Sequence, residues 1–215
     1  MSKLYEKTDY YTNYLKDKNV DLNDHLDISG LVTSVSLDPE PFYKFAEDYR
    51  SESLQKHFKP RPFFDYDSMQ QTVFLNSIGY NEHNTFEYNY GIKEKHNKIL
   101  KEMLGRTAIE HLNIDYDTAG LRLLEYKPGN GLPLHTDSYN AFRDKNNLPA
   151  DHGSVHRYFV AVSPWSWGHV LQVHDNVISN WKPGYVCEIP SGVFHLSANF
   201  GIEPKFSLTV TGFRK

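Results

Sequence analysis

Apolar positions in this chain recur with two different periods, and the change falls near residue 119. In Ser36–Arg50, SLDPEPFYKFAEDYR, the residues Phe42, Phe45, Ala46 and Tyr49 lie three or four apart, which lines one face of a helix. Asp38 can accept a hydrogen bond at the helix start, and Pro39 suits the first helical position. Lys93–Ile114, KEKHNKILKEMLGRTAIEHLNI, predicts a second helix or a broken pair. Its apolar side is Ile99, Leu100, Met103, Leu104, Ile109 and Leu112, and Gly105 is the interruption. From Ala119 onward the pattern shortens to β-rich runs separated by turn clusters: GLRLLEYKPGNG, VHRYFVAVSPWSWG, HVLQVHDN, YVCEIPSG and KFSLTVTGF. That rhythm predicts an antiparallel sandwich or barrel, mainly β with flanking α, with N-terminal helices outside a C-terminal β core. Residues 1–30 are polar and read as an extended or partly ordered lead-in. We read one domain, with residues 1–118 as helical or irregular support and 119–213 as the β core.

Composition narrows the class. Hydrophobic residues make up 39% and charged residues 23% of the chain, with 15 Tyr and 13 Phe, which fits a water-soluble β-rich protein. The net charge is −4 and no Lys/Arg run occurs, so no nucleic-acid or membrane footprint is expected. The single cysteine, Cys187, excludes an internal disulfide and a Cys-based zinc site, and reads as a small buried hydrophobe. The N-terminus lacks an apolar stretch of signal-peptide type, and the run Tyr158–Val162 is too short to cross a bilayer. A cytoplasmic location is the expectation.

The candidate chemistry starts at LPLHTDSYN, where His135 and Asp137 are one residue apart after a Pro/Gly-rich turn. H-x-D alone does not separate a metal site from a polar loop. His195 follows IPSGVF, with 57 residues between it and Asp137, and in a β-barrel strands distant in sequence can be neighbours. Two imidazoles and a carboxylate form the facial triad that holds non-haem Fe(II) and leaves the opposite face open. Downstream, Lys205, Ser207, Thr209 and Thr211 alternate with Phe206, Leu208 and Val210. The polar face, headed by a cation, either meets water or lines an anion-binding cavity.

Taken together these residues resemble the iron(II)- and 2-oxoglutarate-dependent oxygenase superfamily. The shared pattern is His135-Thr136-Asp137, the distal His195, and Lys205-Phe206-Ser207 ten residues later. LLEYKPGNGLPLHTD resembles the tyrosine-containing run before H-x-D in prolyl-hydroxylase-like members. WSWGHVLQV, WKPGYVCEIPSGVFH and NFGIEPKFSLTVTG resemble the middle and C-terminal strands of the superfamily. The likeness spans residues 119–213. There are two departures. The basic residue is Lys, a point charge, where Arg would give a planar fork. GHV stands where relatives often carry two glycines, which brings His169 near the site.

The resemblance implies a double-stranded β-helix core, jelly-roll or cupin-like. It implies Fe(II) on His135, Asp137 and His195, with 2-oxoglutarate and O₂ as cosubstrates. The distal carboxylate of 2-oxoglutarate would meet Lys205, with Ser207 and Tyr126 adding hydrogen bonds. Tyr139, Asn140 and Arg143, on the polar segment 138–153, would face substrate as a lid, and Arg157 would be a second anion contact or a rim salt bridge. The substrate would be a small molecule or a protein or peptide side chain. Three rivals stay open: a cupin-like metal-dependent enzyme without 2-oxoglutarate, a non-catalytic binding protein on the same scaffold, and a hydrolytic zinc enzyme. His25, His57, His83, His96 and His111 read as surface residues. His169 and His174, five apart, would lie on opposite faces of a strand and so could not share a metal. Trp165, Trp167 and Trp181 read as core or rim packing.

Overall fold

The structure, a computed structural model, describes residues 25–56, 87–91, 93–137, 139, 142–143, 146 and 155–214. Among the described residues, three α-helices precede most of the β structure: α1 (Glu40–Asp48), α2 (Glu94–Leu104) and α3 (Arg106–His111). The predicted helices are present, and the second is a broken pair. Gly105 separates its halves at φ 83°, a left-handed value that favours glycine. The helix α1 begins one residue later than expected, with Pro39 and not Asp38 at the cap position; the Asp38 carboxylate, just before it, accepts from the Glu40 amide at 3.1 Å.

The strands are β1 (Val32–Ser34), β2 (Leu54–Lys56), β3 (Glu87–Tyr90), β4 (Gly120–Tyr126), β5 (Gly131–His135), β6 (Val155–Ala161), β7 (His169–Val173), β8 (Asn176–Ile178), β9 (Tyr185–Glu188), β10 (His195–Asn199) and β11 (Lys205–Phe213). They form two antiparallel sheets, in the orders β1-β9-β6-β11-β4-β3-β2 and β5-β10-β7-β8. From β4 onward the chain crosses between the sheets: β4, β6, β9 and β11 belong to the larger, and β5, β7, β8 and β10 to the smaller. Consecutive segments thus wind about one interior, which is the double-stranded β-helix arrangement of a jelly roll.

Period-two alternation decides what each face of the larger sheet meets. Phe206, Leu208 and Val210 of β11 join Leu121, Leu123, Tyr158 and Val160 on the outer face, against Phe42, Phe45, Ala46, Leu100 and Leu104 of the helices. On the inner face, Phe159, Ala161, Cys187 and Ile189 pack with Leu171, Val173, Ile178 and Trp181 between the sheets. Burial pushes the Cys187 thiol up to about 12, as expected of an inert buried hydrophobe. Pro133 lies within β5, which is an edge strand of the smaller sheet, where a missing N–H costs no ladder bond.

Two sequence expectations need correction, and a third is described only in part. The support before residue 118 is not only helical and irregular, because β1, β2 and β3 extend the larger sheet on both sides. These strands are three or four residues long, too short for their alternation to register in the sequence. The lead-in expected over residues 1–30 is described only from residue 25, and at its end Ser29–Leu31 form a 3₁₀ turn running into β1. His96, expected at the surface, is buried. It sits four residues before Leu100 on the same helix stripe, and its ring packs on Phe45 and Tyr49 with centroids 5.7 and 4.7 Å away. His57 and His83 lie outside the described residues, as does most of segment 138–153.

Leu208 is fully buried on the outer face of β11, beneath the helices. Leu208→Ala is expected to lower the unfolding free energy by about 2–5 kcal/mol in chemical denaturation, through lost transfer energy and the cavity left behind.

Candidate metal centre

β5 and β10 pair antiparallel, and their register sets His135 directly opposite His195. The two rings come together at the open end of the pair, with centroids 4.3 Å apart. A register shift between His195 and Ser197 re-aims β10 at this point. Asp137 lies two residues beyond the end of β5, and its Oδ2 is 3.4 Å from His195 Nε2. One ligand atom from each of His135, Asp137 and His195 falls within 4.8 Å of the others.

The ring orientations suit metal binding. His135 Nδ1 is 2.8 Å from the Pro133 carbonyl and His195 Nδ1 is 3.0 Å from the Val193 carbonyl. A carbonyl can only accept, so each Nδ1 carries the proton and each Nε2 presents its lone pair. Both histidines are therefore held by a backbone oxygen two residues earlier, the kind of support that fixes a ligand's tautomer and direction. Burial would push the Asp137 carboxyl up, but the Arg157 guanidinium beside it holds it well below the usual carboxylate range. Two neutral imidazoles and one carboxylate on one side of a point are a donor set that fits a divalent metal, with the other side open.

The triad faces a narrow cavity between the sheets. Arg122, Leu124 and Tyr126 of β4, Arg157 and Phe159 of β6, and Ser207 and Thr209 of β11 line its larger-sheet wall, with Leu132, Leu171 and Ser197 opposite. The polar face of β11 thus lines a cavity. Ser207 Oγ is buried and has no hydrogen-bond partner. Lys205, completely buried, lies beneath the cavity floor and not in its wall. Its Nζ donates to the Val170 carbonyl at 2.6 Å and to Ser197 Oγ at 2.7 Å. The Tyr126, Phe159 and Trp181 rings surround the ammonium, with centroids 5.2, 5.7 and 5.5 Å away.

The other candidates fall elsewhere. Arg157 does reach the cavity, but its Nη1 contacts the Asp137 carboxylate and its Nε donates to Thr211 Oγ1 at 3.1 Å. Tyr139, expected to face substrate, is buried at φ 55°, stacks on the Arg157 guanidinium at 4.8 Å, and donates its hydroxyl to the Ile189 carbonyl at 2.9 Å. It props Arg157 and does not line the cavity. Arg143 follows Phe142 in a short turn, its amide 3.0 Å from the Tyr139 carbonyl, and likewise does not line the cavity. Asn140 lies outside the described residues.

His169 is accounted for by packing. Its Nδ1 accepts from the Ser166 amide at 3.3 Å and its Nε2 donates to the Glu203 carbonyl at 2.9 Å, while burial pushes its pKa down. It is a neutral staple between two loops and takes no part in the triad. Trp181 is core, whereas Trp167 is 83% exposed and touches Trp165 at 5.3 Å. Sequence reading missed Asn89 and Arg122, both of which line the cavity. Arg122 was within reach, since it shares the alternating face of Leu124 and Tyr126; nothing in the sequence around Asn89 marked it.

A scan against protein-family models matches none, and no curated protein matches the chain. Solved structures do. A Pseudomonas putida prolyl-4-hydroxylase aligns over 86% of this chain and 91% of its own, with TM-score 0.47 and 14% identity. A predicted oxalate decarboxylase from Thermotoga maritima aligns over 60% and 81%, with TM-score 0.34 and 16% identity. A Cupin 2 conserved barrel domain protein from Salinispora arenicola aligns over 44% and 63%, with TM-score 0.30 and 14% identity. These likenesses concern the fold. Among the described residues no helix is long and apolar enough to cross a membrane.

Two outcomes follow for the metal. His135→Ala, Asp137→Asn and His195→Ala should each abolish tight binding of a divalent metal ion in anaerobic calorimetry, and the two histidine variants should leave the melting temperature of the metal-free protein close to that of the parent. Arg157→Met, which frees the carboxylate to rotate, should weaken metal binding about 10–100-fold, the usual effect of removing a group that orients a ligand.

Proposed function

We propose that the protein is an Fe(II)- and 2-oxoglutarate-dependent oxygenase that hydroxylates an amino-acid or protein side chain. The observation that carries this reading is a single cavity with a His/Asp/His set at one side and an unpartnered buried hydroxyl, Ser207, at the other, above a buried ammonium. A structural metal site would need no such second polar end.

Each residue has a physical task. His135, Asp137 and His195 hold the metal on one face. Iron with 2-oxoglutarate and O₂ supplies the oxidative chemistry, in which 2-oxoglutarate is decarboxylated to succinate and a substrate C–H bond becomes C–OH. The Lys205 charge and the Ser207 hydroxyl hold the distal carboxylate of the cosubstrate, and Tyr126 borders the same end. The ammonium is ringed by three aromatic side chains, so its field at the cavity floor is screened less than it would be in water. Leu124, Leu132, Phe159, Leu171 and Ile189 supply the apolar part of the wall and limit the access of water to the reacting centre. Arg157 and Tyr139 keep the Asp137 carboxylate aimed.

One observation favours a second reading. Lys205 Nζ already bonds Val170 and Ser197, as it would in a cupin-like metal enzyme that binds no dicarboxylate. The two readings separate in one titration. Adding Fe(II) and then 2-oxoglutarate to anaerobic protein should raise a weak visible charge-transfer band, and no 2-oxoglutarate-dependent band would leave the cupin-like reading. Ser207→Ala should weaken the 2-oxoglutarate titration by about tenfold, the worth of one hydrogen bond to a charged group, with Fe(II) affinity unchanged.

A further inference from the structure

A second buried polar atom in the cavity is left unused by the proposed chemistry. Asn89 of β3 is 2% exposed, lines the cavity, and its Oδ1 has no hydrogen-bond partner. An acceptor buried in this way costs folding free energy unless something completes it. The group that completes it must donate an N–H or O–H, and 2-oxoglutarate, ionised at both ends, has neither to give. Position points the same way. Asn89 pairs with Leu124, which pairs with Ser207, so a whole strand lies between the two orphaned groups. With strands about 4.8 Å apart, their backbones are separated by about 10 Å, too far for one carboxylate to serve both.

Charge decides what sits beside that donor. Arg122, two residues from Leu124 on the same face and paired with Thr209, lines the cavity next to Asn89 and is exposed at its mouth. Residues two apart on neighbouring strands are diagonal neighbours, about 7–8 Å apart, a span that a small molecule with a donor at one end and an anion at the other can bridge.

Resting on the oxygenase reading, we propose that Asn89 and Arg122 form the primary-substrate subsite and take the zwitterionic head of a free α-amino acid. The ammonium donates to Asn89 Oδ1, the carboxylate meets Arg122, and the side chain is directed toward the triad. A residue inside a polypeptide has neither charge at its α-carbon and does not satisfy the pair.

The test is calorimetry on the anaerobic Fe(II)- and 2-oxoglutarate-loaded protein, titrated with each of the twenty free L-amino acids and then with the N-acetyl amide of any that binds. At least one free amino acid is expected to bind, and its blocked form to bind at least about tenfold more weakly, the effect of losing a charged hydrogen bond. Asn89→Leu, which keeps shape and removes the orphaned acceptor, should weaken binding by a similar factor. It should not lower the melting temperature, and it should leave the 2-oxoglutarate band intact. The inference is overturned if no free amino acid binds, if the blocked form binds equally well, if Asn89→Leu binds as the parent does, or if Asn89→Leu melts at a clearly lower temperature, which would make Asn89 structural. Loss of the band in the parent would remove the cosubstrate reading alone, because the subsite is read from heat.

Discussion

The pairing register of β5 with β10 is the constraint on which the site depends. A shift of one residue would turn every side chain to the opposite face. His135 and His195 would then no longer share an edge, and Asp137 would leave the cavity mouth. The register is secured from both sides of β10. On one side Gly131 leaves no room for a side chain, since a Cβ there would lie 2.8 Å from that of Ala198. On the other, five consecutive pairs tie β10 to β7. The carbonyls of Pro133 and Val193 then complete what the register begins, fixing both rings with their Nε2 atoms toward a common point.

The interior also has to tolerate charge. Asp137 and Arg157 balance one another at the cavity mouth, and Thr211 and Tyr139 hold the arginine in place. Lys205 is more deeply buried and is accommodated by a carbonyl, a hydroxyl and three aromatic faces. Burying an ammonium is costly, and a fold that needed only stability would put an apolar residue there. Unpartnered Ser207 and Asn89 are further departures from a satisfied core, and they face the same cavity as the triad. These local departures from packing rules are thus gathered around one space.

Legibility followed the length of each pattern. The five β-rich runs and both helical segments were visible because their periodicity lasts several residues, and the polar face of β11 was visible for the same reason. The three N-terminal strands were not, being too short to show alternation. His96 was misjudged because polar neighbours in the sequence hid its place on the buried stripe of α2. Asn89 was invisible for a related reason: a polar side chain in a strand of only four residues carries no sign of what lies opposite it.

The sequence by itself determined which residue types were at hand and which of them share a strand face: the H-x-D pair, the distal histidine, and the cation and hydroxyls alternating along β11. Only the tertiary structure decided which of them meet. It brought His195 to His135 across a strand pair, set Lys205 under the floor instead of in the wall, gave Arg157 to Asp137 and Tyr139 to Ile189, and carried Asn89 in from a distant segment. The physical reason is that alternation along a strand is a local property of the backbone, whereas adjacency between strands is fixed by register and sheet order, which arise from burial across the whole chain.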